Sequence, residues 1–163
     1  MEKIYYNNPL LKRSSELRKD EIFLKSILDS EDVNFIPMRN DENYFISEKD
    51  QIKPLILKRQ ELELYTKEIN LDKMIFLGKI NEKFYFSINI KSKIDKNNLE
   101  IDQGDVITDQ LRNVIGSLTE LDSSYLALAK GMIFWHEKNK FCGVCGSKTK
   151  TKEAGFVLSL IHI

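Results

Sequence analysis

Cysteine and glycine are scarce in this sequence, and their scarcity excludes several kinds of active site. The 163 residues include two cysteines and seven glycines, and no glycine precedes Gly78. A glycine-rich phosphate loop is therefore excluded from the N-terminal part, because such loops need glycine where the backbone cradles phosphate. The motifs G-x-S-x-G and H-E-x-x-H do not occur, so neither a nucleophile with its base nor a protease-type zinc site is recognisable.

Long apolar runs and an excess of charge of either sign are also missing. Lysine plus arginine number 25, as do aspartate plus glutamate, so the net charge is zero. A duplex-binding protein would show an overall basic surface instead. No apolar run approaches the roughly 20 residues that span a bilayer, and the start of the chain lacks a signal-peptide core and cleavage site. The expected compartment is the cytoplasm.

The sequence has enough apolar residues for a packed core. Hydrophobic residues make up 42% of the chain and charged residues 31%, which is typical of a folded domain with a solvated surface. Apolar side chains at helical spacing predict a helix over residues 19–29. Two pairs of strands are expected, residues 33–39 with 44–47 and residues 74–80 with 84–90.

Two details refine the predicted sheet. Pro37 has no N–H to donate to a strand ladder, which places its strand at an edge. Phe84, Phe86 and Ile88 alternate with more polar residues, the pattern of a strand with one buried face. Residues 54–69 fit either a strand or a helix.

A pair of helices is expected next. Asp105 can cap the first, in which Leu111, Val114, Ile115 and Leu118 form one apolar stripe. The second begins near residue 122 and buries Leu128, Met132 and Trp135. The sequence therefore predicts an α+β fold, with a mostly antiparallel sheet and a helix pair leading into the segment that holds both cysteines.

Cys142 and Cys145 are spaced C-x-x-C, and a glycine follows each of them. Positive φ at these glycines would turn backbone N–H groups toward the sulfurs, as in a zinc knuckle. A closed zinc site has four ligands, with a second C-x-x-C roughly 15 to 20 residues further on. No such pair occurs in the sequence, so the cysteines are predicted to form one half of a zinc site. A thioredoxin-like redox pair, which needs a helix directly after the first cysteine, and two incidental thiols are the alternatives.

The two histidines are weaker candidates for metal binding. His136 is six residues before Cys142 and is interpreted as a residue of the helix surface. His162 is seventeen residues after Cys145 and could offer a nitrogen ligand. Three protein ligands would leave an open position, which suits catalytic zinc.

Two stretches of the sequence are the most specific, D-Q-L-R-N-V-I at residues 109–115 and A-L-A-K-G-M-I-F-W-H-E-K-N-K-F-C-G-V-C-G-S-K-T at residues 127–149. They resemble bacterial NADH pyrophosphatases, a family of Nudix hydrolases. R-S-S-E-L-R at residues 13–18 and F-L-G at residues 76–78 are similar to the family's N-terminal Nudix-like domain.

The resemblance implies a function and a set of site residues. The family splits NAD(H) into nicotinamide mononucleotide and AMP, removes NAD caps from RNA and forms homodimers. Its members use structural zinc, together with magnesium or manganese for catalysis. By this resemblance Cys142 and Cys145 are the first two zinc ligands, Arg112 contacts the dinucleotide and Glu153 contacts the substrate. The alternative for Arg112 is a surface arginine in a salt bridge.

The sequence departs from the family pattern in two places. Leu160 and Ile163 stand where the second cysteine pair is expected, and the Nudix box G-x5-E-x7-R-E-U-x-E-E-x-G-U, where U is a bulky apolar residue, does not occur. No catalytic residue is therefore assigned, and the chain by itself is expected to be inactive.

The last six residues, L-S-L-I-H-I, suggest an explanation. They are expected to break the ribbon, and one reading frame of a widely used transposon-end sequencing adaptor encodes them. Our hypothesis is that native sequence ends near Val157 and that a catalytic domain is lost; an in-frame stop after Ile163 in genomic DNA would contradict it. The predicted domains are residues 1–138, Nudix-like with a helical connector, and residues 139–163, a truncated zinc ribbon with residues 158–163 non-native.

Two other functions fit the same sequence. A zinc knuckle could bind single-stranded nucleic acid without catalysis, with Trp135 and Phe141 stacking on bases. The lysines available for phosphate contacts are Lys138, Lys140, Lys148, Lys150 and Lys152. A purely structural interaction domain would show neither binding nor turnover.

Overall fold

A computed structural model describes residues 8–160 and shows an α+β fold. The described chain contains four α-helices and eight strands, with short 3-10 turns between some of them. The helices are α1 (Glu21–Leu28), α2 (Arg59–Glu63), α3 (Leu111–Val114) and α4 (Glu120–Lys138). The strands are β1 (Val33–Arg39), β2 (Glu42–Glu48), β3 (Gln51–Pro54), β4 (Met74–Ile80), β5 (Lys83–Asn89), β6 (Asp105–Asp109), β7 (Thr149–Lys152) and β8 (Val157–Leu160).

Helix α1 forms where the apolar spacing predicted it. The Asp20 side chain accepts a hydrogen bond from the Phe23 N–H at 2.9 Å and so satisfies one of the free donors of the first turn. Leu24, Ile27 and Leu28 are buried against the sheet. The helix thereby covers one face of the strands that follow.

The main sheet is mostly antiparallel, in the order β3-β2-β1-β5-β4, with β6 also paired to β2. The two predicted hairpins, β1–β2 and β4–β5, are confirmed. Asn40 (φ 57°) and Asn81 (φ 52°) take left-handed conformations in their turns, which asparagine tolerates better than most residues. Among the strands of residues 8–160, only β1 and β5 pair in parallel, and this pairing brings the two hairpins into a single sheet.

The prediction that Pro37 marks a sheet edge is wrong, because β1 lies between β2 and β5. Backbone groups of Asp32 and Met38 bond toward β5, whereas those of Phe35 bond to Leu57 on the opposite side. By the same alternation Pro37 turns its nitrogen away from β5. On that side β1 and β2 pair only at their hairpin end, so the missing N–H interrupts no ladder.

Both faces of the sheet are covered, so the prediction of one buried face for β5 is also wrong. One face packs Phe35, Phe76 and Phe86 against α1 in an apolar cluster. The opposite face packs Ile36 and Phe45 against α4. Ser87 on β5 is completely buried, and its hydroxyl donates to the Ile36 carbonyl at 3.0 Å. That hydrogen bond makes a polar residue tolerable under α4.

The segment after the sheet differs from the predicted helix pair. Asp105 does not cap a helix but begins β6, which pairs antiparallel with β2. The predicted first helix is reduced to one turn, α3, and a 3-10 turn at Ile115–Ser117. The long-range pairing with β2 outweighs the local helical pattern, because it satisfies a whole strand of backbone groups.

Helix α4 confirms the second predicted helix but buries a different stripe. Its N-cap is Thr119, whose hydroxyl accepts from the Asp122 N–H at 3.0 Å. Tyr125, Ala129 and Ile133 are buried, whereas the residues expected to be buried, Leu128, Met132 and Trp135, are half-exposed. Among the described residues, no helix is both long enough and apolar enough to cross a membrane.

Asn43 supplies a test of the core. Its side chain is completely buried on β2, and within residues 8–160 neither amide atom has a hydrogen-bond partner. An unsatisfied buried polar group costs free energy, whereas an apolar group of similar shape does not. Asn43→Leu is therefore expected to raise the free energy of unfolding by about 1 kcal/mol in urea titrations.

Ser87→Ala is the matched comparison, because the Ser87 hydroxyl is satisfied. It is expected to lower the free energy of unfolding by about 1 kcal/mol. Equal destabilisation by both substitutions would show that the Asn43 amide has a partner, and would contradict the prediction.

Candidate metal centre

The C-x-x-C segment lies in a tight turn between α4 and the hairpin β7–β8. Phe141 and Lys148 pair across the base of this turn, and the Thr149 N–H donates to the Lys140 carbonyl at 3.0 Å. Inside it, the Cys142 N–H donates to Ser147 at 2.8 Å, and the Gly146 N–H donates back to Cys142 at 2.9 Å. These bonds fold residues 142–147 into a closed loop, which we call the knuckle.

A backbone N–H of the knuckle points at the sulfur of Cys142. The Val144 N–H donates to Cys142 Sγ at 3.4 Å. Hydrogen bonds from the Ser147 hydroxyl, then from the Ser147 backbone and from Cys142, lower the pKa of the Cys145 thiol. Donors of this kind favour the thiolate, which is the form that binds metal. Positive φ is confirmed at Gly146 (φ 70°) but not at Gly143.

The chemistry of the knuckle suits two of the four ligands of a zinc site. It offers two soft ligands, one half-buried and one exposed, and the Val144 N–H is directed at Cys142 Sγ, as N–H groups are at metal-bound thiolates. Within residues 8–160, no group of three potential ligands forms. His162 lies outside the described residues. Cys142 and Cys145 are therefore the two candidate metal ligands that the described residues bring together.

A redox role fits the geometry less well. Cysteine pairs in disulfide oxidoreductases lie at a helix N-terminus, where the helix dipole stabilises the thiolate. Here α4 precedes the pair, and β7 follows it. Within residues 8–160, no helix begins at either cysteine.

The hairpin β7–β8 continues the ribbon as far as the structure describes it. Thr149 pairs with Leu160, and Lys152 pairs with Val157. The prediction that residues from 158 onward break the ribbon is therefore wrong for 158–160. Because Thr149 is also bonded to Lys140, the end of β8 returns to the base of the knuckle.

The turn Glu153–Gly155, which joins β7 to β8, packs against the main sheet. Three consecutive residues have positive φ, namely Glu153 (48°), Ala154 (49°) and Gly155 (99°). Ala154 is buried in the cluster under α1, and a Cβ on Gly155 would lie 2.9 Å from Ile75 Cγ1. The strained turn is thus held in place by the core.

Two further contacts dock this turn. His136 Nε2 lies 2.7 Å from the Gly155 carbonyl oxygen, so this histidine joins α4 to the turn and does not face the knuckle as a ligand. The Arg18 guanidinium lies 3.5 Å from the centre of the Phe156 ring. Burial and the neighbouring Arg13 lower the pKa of Arg18, whereas Glu153 opposes that shift. Glu153 therefore lies in the electrostatic field of Arg18.

Arg112 lies on α3 in different surroundings from Glu153. Its side chain is exposed, close to Asp41. A hydrogen bond from the Gln110 side chain, followed by the charges of Lys130 and Arg112, lowers the pKa of Asp41. Lys130 Nζ donates to the Asp41 carbonyl and to Gln110 Oε1. Arg112 thus lies in the electrostatic field of Asp41, beside a polar network of Asp41, Gln110 and Lys130, and its side chain is exposed.

Sequence reasoning missed three residues of this region. Ser147 could have been found, because it follows Cys145 within the knuckle and carries a hydroxyl donor. Arg18 and Phe156 are far apart in sequence, and no local pattern connects them. No protein-family model matches the chain, so a functional assignment depends on the motifs and on this geometry.

The lowered pKa of Cys145 predicts a pH dependence. In metal-free protein, Cys145 is expected to be alkylated by iodoacetamide with a midpoint below the ordinary thiol value, since the thiolate reacts. Ser147→Ala removes the largest cause of the shift, so the midpoint moves to higher pH and alkylation at neutral pH slows. Peptide mass spectrometry separates Cys145 from Cys142. Ser117→Ala, at an exposed serine elsewhere, is the control, and an unchanged midpoint in Ser147→Ala would contradict the assignment.

Proposed function

We propose that this chain is the N-terminal region of a cytoplasmic Nudix hydrolase of the NADH pyrophosphatase type. The complete protein would cleave the pyrophosphate of NAD(H) to nicotinamide mononucleotide and AMP, and would also remove NAD caps from RNA. The observation that carries the proposal is the knuckle, which leaves a long helix, opens an antiparallel hairpin and is docked on an α+β sheet. This is the order of parts that the resembling sequence motifs imply.

Each site residue has a distinct role in this proposal. Cys142 and Cys145 hold structural zinc, with two further ligands from outside the described residues. Zinc bound there would fix the two ends of the hairpin to each other, as metal binding contributes directly to the folding of small modules. His136 and Arg18 hold the turn of the hairpin against the sheet, and Glu153 is positioned by that turn.

Arg112 is the proposed contact to the dinucleotide. Its side chain is exposed, and the charges of both Lys130 and Arg112 lower the pKa of Asp41, so two cations lie near one carboxylate. Guanidinium groups bind phosphate through paired, charge-assisted hydrogen bonds. Magnesium or manganese would supply the catalytic chemistry in a downstream domain, and the complete protein is proposed to form a homodimer.

The test is an assay of the chain expressed with its downstream coding region. Purified protein is incubated with NADH and magnesium, and AMP is measured by chromatography. AMP release supports the proposal, and its absence from folded, zinc-loaded protein contradicts it. Arg112→Ala is expected to raise KM roughly 10- to 100-fold, as the loss of a charge-assisted hydrogen bond would. Lys53→Ala, at an exposed cation on β3, should leave KM unchanged.

The competing function is a non-enzymatic nucleic-acid-binding module. The observation that favours it is that Phe141 lies among lysines and is exposed, with 62% of its surface accessible to solvent. This function predicts binding without AMP release, whereas a purely structural domain predicts neither. The same preparation therefore separates the three functions.

A further inference from the structure

A cleft of about 570 Å³ opens between the end of α1, the start of α2 and the start of β5. Its volume falls in the range of small-molecule sites, roughly 300 to 1,000 Å³. The cysteines, Arg112 and Glu153 do not line it, so it is separate from the proposed zinc and dinucleotide residues. The lining includes three cations and three carboxylates, namely Lys58, Arg59, Lys83, Asp29, Glu31 and Asp32.

The backbone fixes the position of Lys58 in this cleft. Leu57 and Phe35 exchange two backbone hydrogen bonds of 2.9 Å in an antiparallel bridge. Lys58 therefore lies opposite Asn34, and side chains opposite each other in such a pair share one face. The Lys58 N–H also donates to Glu61 Oε2 at 2.8 Å. The lysine is thus held on both sides, by β1 and by the start of α2.

The Lys58 amine is bonded to a neutral acceptor. Its Nζ donates to Asn34 Oδ1 at 2.6 Å in a partly buried contact, and Asn34 is 5% exposed. Within residues 8–160, no carboxylate forms an ion pair with Lys58. An amide oxygen accepts a hydrogen bond from a neutral amine as well as from an ammonium group, whereas a carboxylate would favour the ammonium form. The contact with Asn34 therefore leaves Lys58 able to lose a proton.

The surroundings of Lys58 favour the neutral amine. Burial of the amine, followed by the charge of Lys83, lowers the pKa of Lys58. The carboxylates of Asp32, Glu61 and Glu31 oppose this shift without reversing it. At neutral pH, a larger fraction of Lys58 than of an ordinary lysine is therefore the nucleophilic amine.

The other two cations of the cleft differ in their partners. Arg59 Nη1 lies 2.6 Å from Asp29 Oδ1, and Arg59 Nε lies 3.0 Å from Glu63 Oε1. Lys83 is exposed and belongs to no ion pair in the part of the chain that the structure describes. Lys83 is thus the cation that is available to an anionic group beside Lys58.

We propose that Lys58 is a site of acylation by small acyl phosphates, with Lys83 as the contact to the phosphate group. The Lys58 nitrogen attacks the carbonyl carbon of the acyl phosphate and forms a new C–N bond. The bond between that carbon and the bridging oxygen breaks, and its electron pair leaves with inorganic phosphate, which also takes the proton lost by the nitrogen. The product amide keeps one N–H, which can donate to Asn34. This reaction does not depend on the proposed hydrolysis.

The experiment incubates the complete chain with acetyl phosphate and follows acetylation of each lysine by peptide mass spectrometry. At neutral pH, Lys58 is expected to be acetylated several-fold faster than Lys53, an exposed lysine on β3. Lys83→Gln should slow acetylation of Lys58 roughly 5-fold, as expected for the loss of one solvated charge contact. Lys83→Arg keeps the charge and should keep the rate. Asn34→Asp replaces the neutral acceptor with a carboxylate, which favours the ammonium form, and should also slow the reaction.

The matched control is Lys53→Gln, which removes one positive charge outside the cleft and should leave the rate at Lys58 unchanged. Circular dichroism verifies that every variant is folded. Para-nitrophenyl acetate is an uncharged acyl donor, so Lys83→Gln should slow its reaction with Lys58 less than it slows that of acetyl phosphate. Equal rates at Lys58 and Lys53, or an unchanged rate in Lys83→Gln, would overturn the proposal. So would equal slowing of the two donors by Lys83→Gln.

Discussion

Gly78→Ala is expected to destabilise the protein by about 3 kcal/mol or more, the range of a strained backbone combined with a steric clash. Gly78 has φ 138°, and a Cβ there would lie 2.3 Å from the backbone oxygen of Lys12. Lys12 and Lys79 exchange two backbone hydrogen bonds, at 2.8 and 2.9 Å, so this oxygen cannot move without breaking the bridge. The free energy of unfolding from urea titration measures the effect.

Gly131→Ala is the control for Gly78→Ala. Gly131 lies within α4, has ordinary helical φ, and has nothing within 4 Å of a built Cβ. Alanine is favoured over glycine in a helix by roughly 0.5–1 kcal/mol, so this substitution should stabilise the protein. If both variants changed stability in the same direction, the explanation from φ and contact would be refuted.

Replacing Cys142 and Cys145 with serine is expected to abolish zinc binding in the chain expressed with its downstream region. Structural zinc in small modules binds with an apparent free energy of about 10–16 kcal/mol at neutral pH, so a half-set of ligands should lose the metal during purification. Elemental analysis measures the loss. Zinc retained at the unsubstituted stoichiometry would refute the assignment of these residues as ligands.

The loss of zinc is expected to destabilise the hairpin β7–β8 and not the main sheet. Hydrogen exchange is expected to show lost protection at Thr149–Lys152 and Val157–Leu160, while the main sheet keeps its protection. The sheet is stabilised by its own two apolar clusters, so its strands need no metal. Loss of protection throughout the protein would instead show that the ribbon and the sheet unfold as one unit.

Local signals account for the parts of the fold that the sequence predicted correctly. The hairpin β4–β5 was recognisable because its turn, its alternation and its apolar residues are all contiguous. The errors at Pro37 and Asp105 have the opposite origin, since both residues belong to strands whose partners are distant in sequence. A periodic pattern cannot show which distant strand will satisfy a backbone ladder.

For the candidate site too, the predicted features are local in sequence and the missed features depend on contacts between distant residues. The spacing of Cys142 and Cys145 identified the knuckle, because a zinc half-site is a local motif. The contacts of Arg18 with Phe156 and of His136 with Gly155 depend on how the hairpin docks, which no local spacing encodes. The sequence located the two cysteines of the site, and the part that it missed is the attachment of the site to the fold.

The parallel pairing of β1 with β5 has a consequence for the order of folding. Val33 and Phe84 are about 50 residues apart, so this contact closes a long loop and forms later than either hairpin, which closes across a short turn. During synthesis on the ribosome, the β5-facing edge of β1 has no partner until β5 has emerged. A substitution that weakens the β1–β5 pairing is therefore expected to promote aggregation of nascent chains as well as to lower the stability of the finished protein.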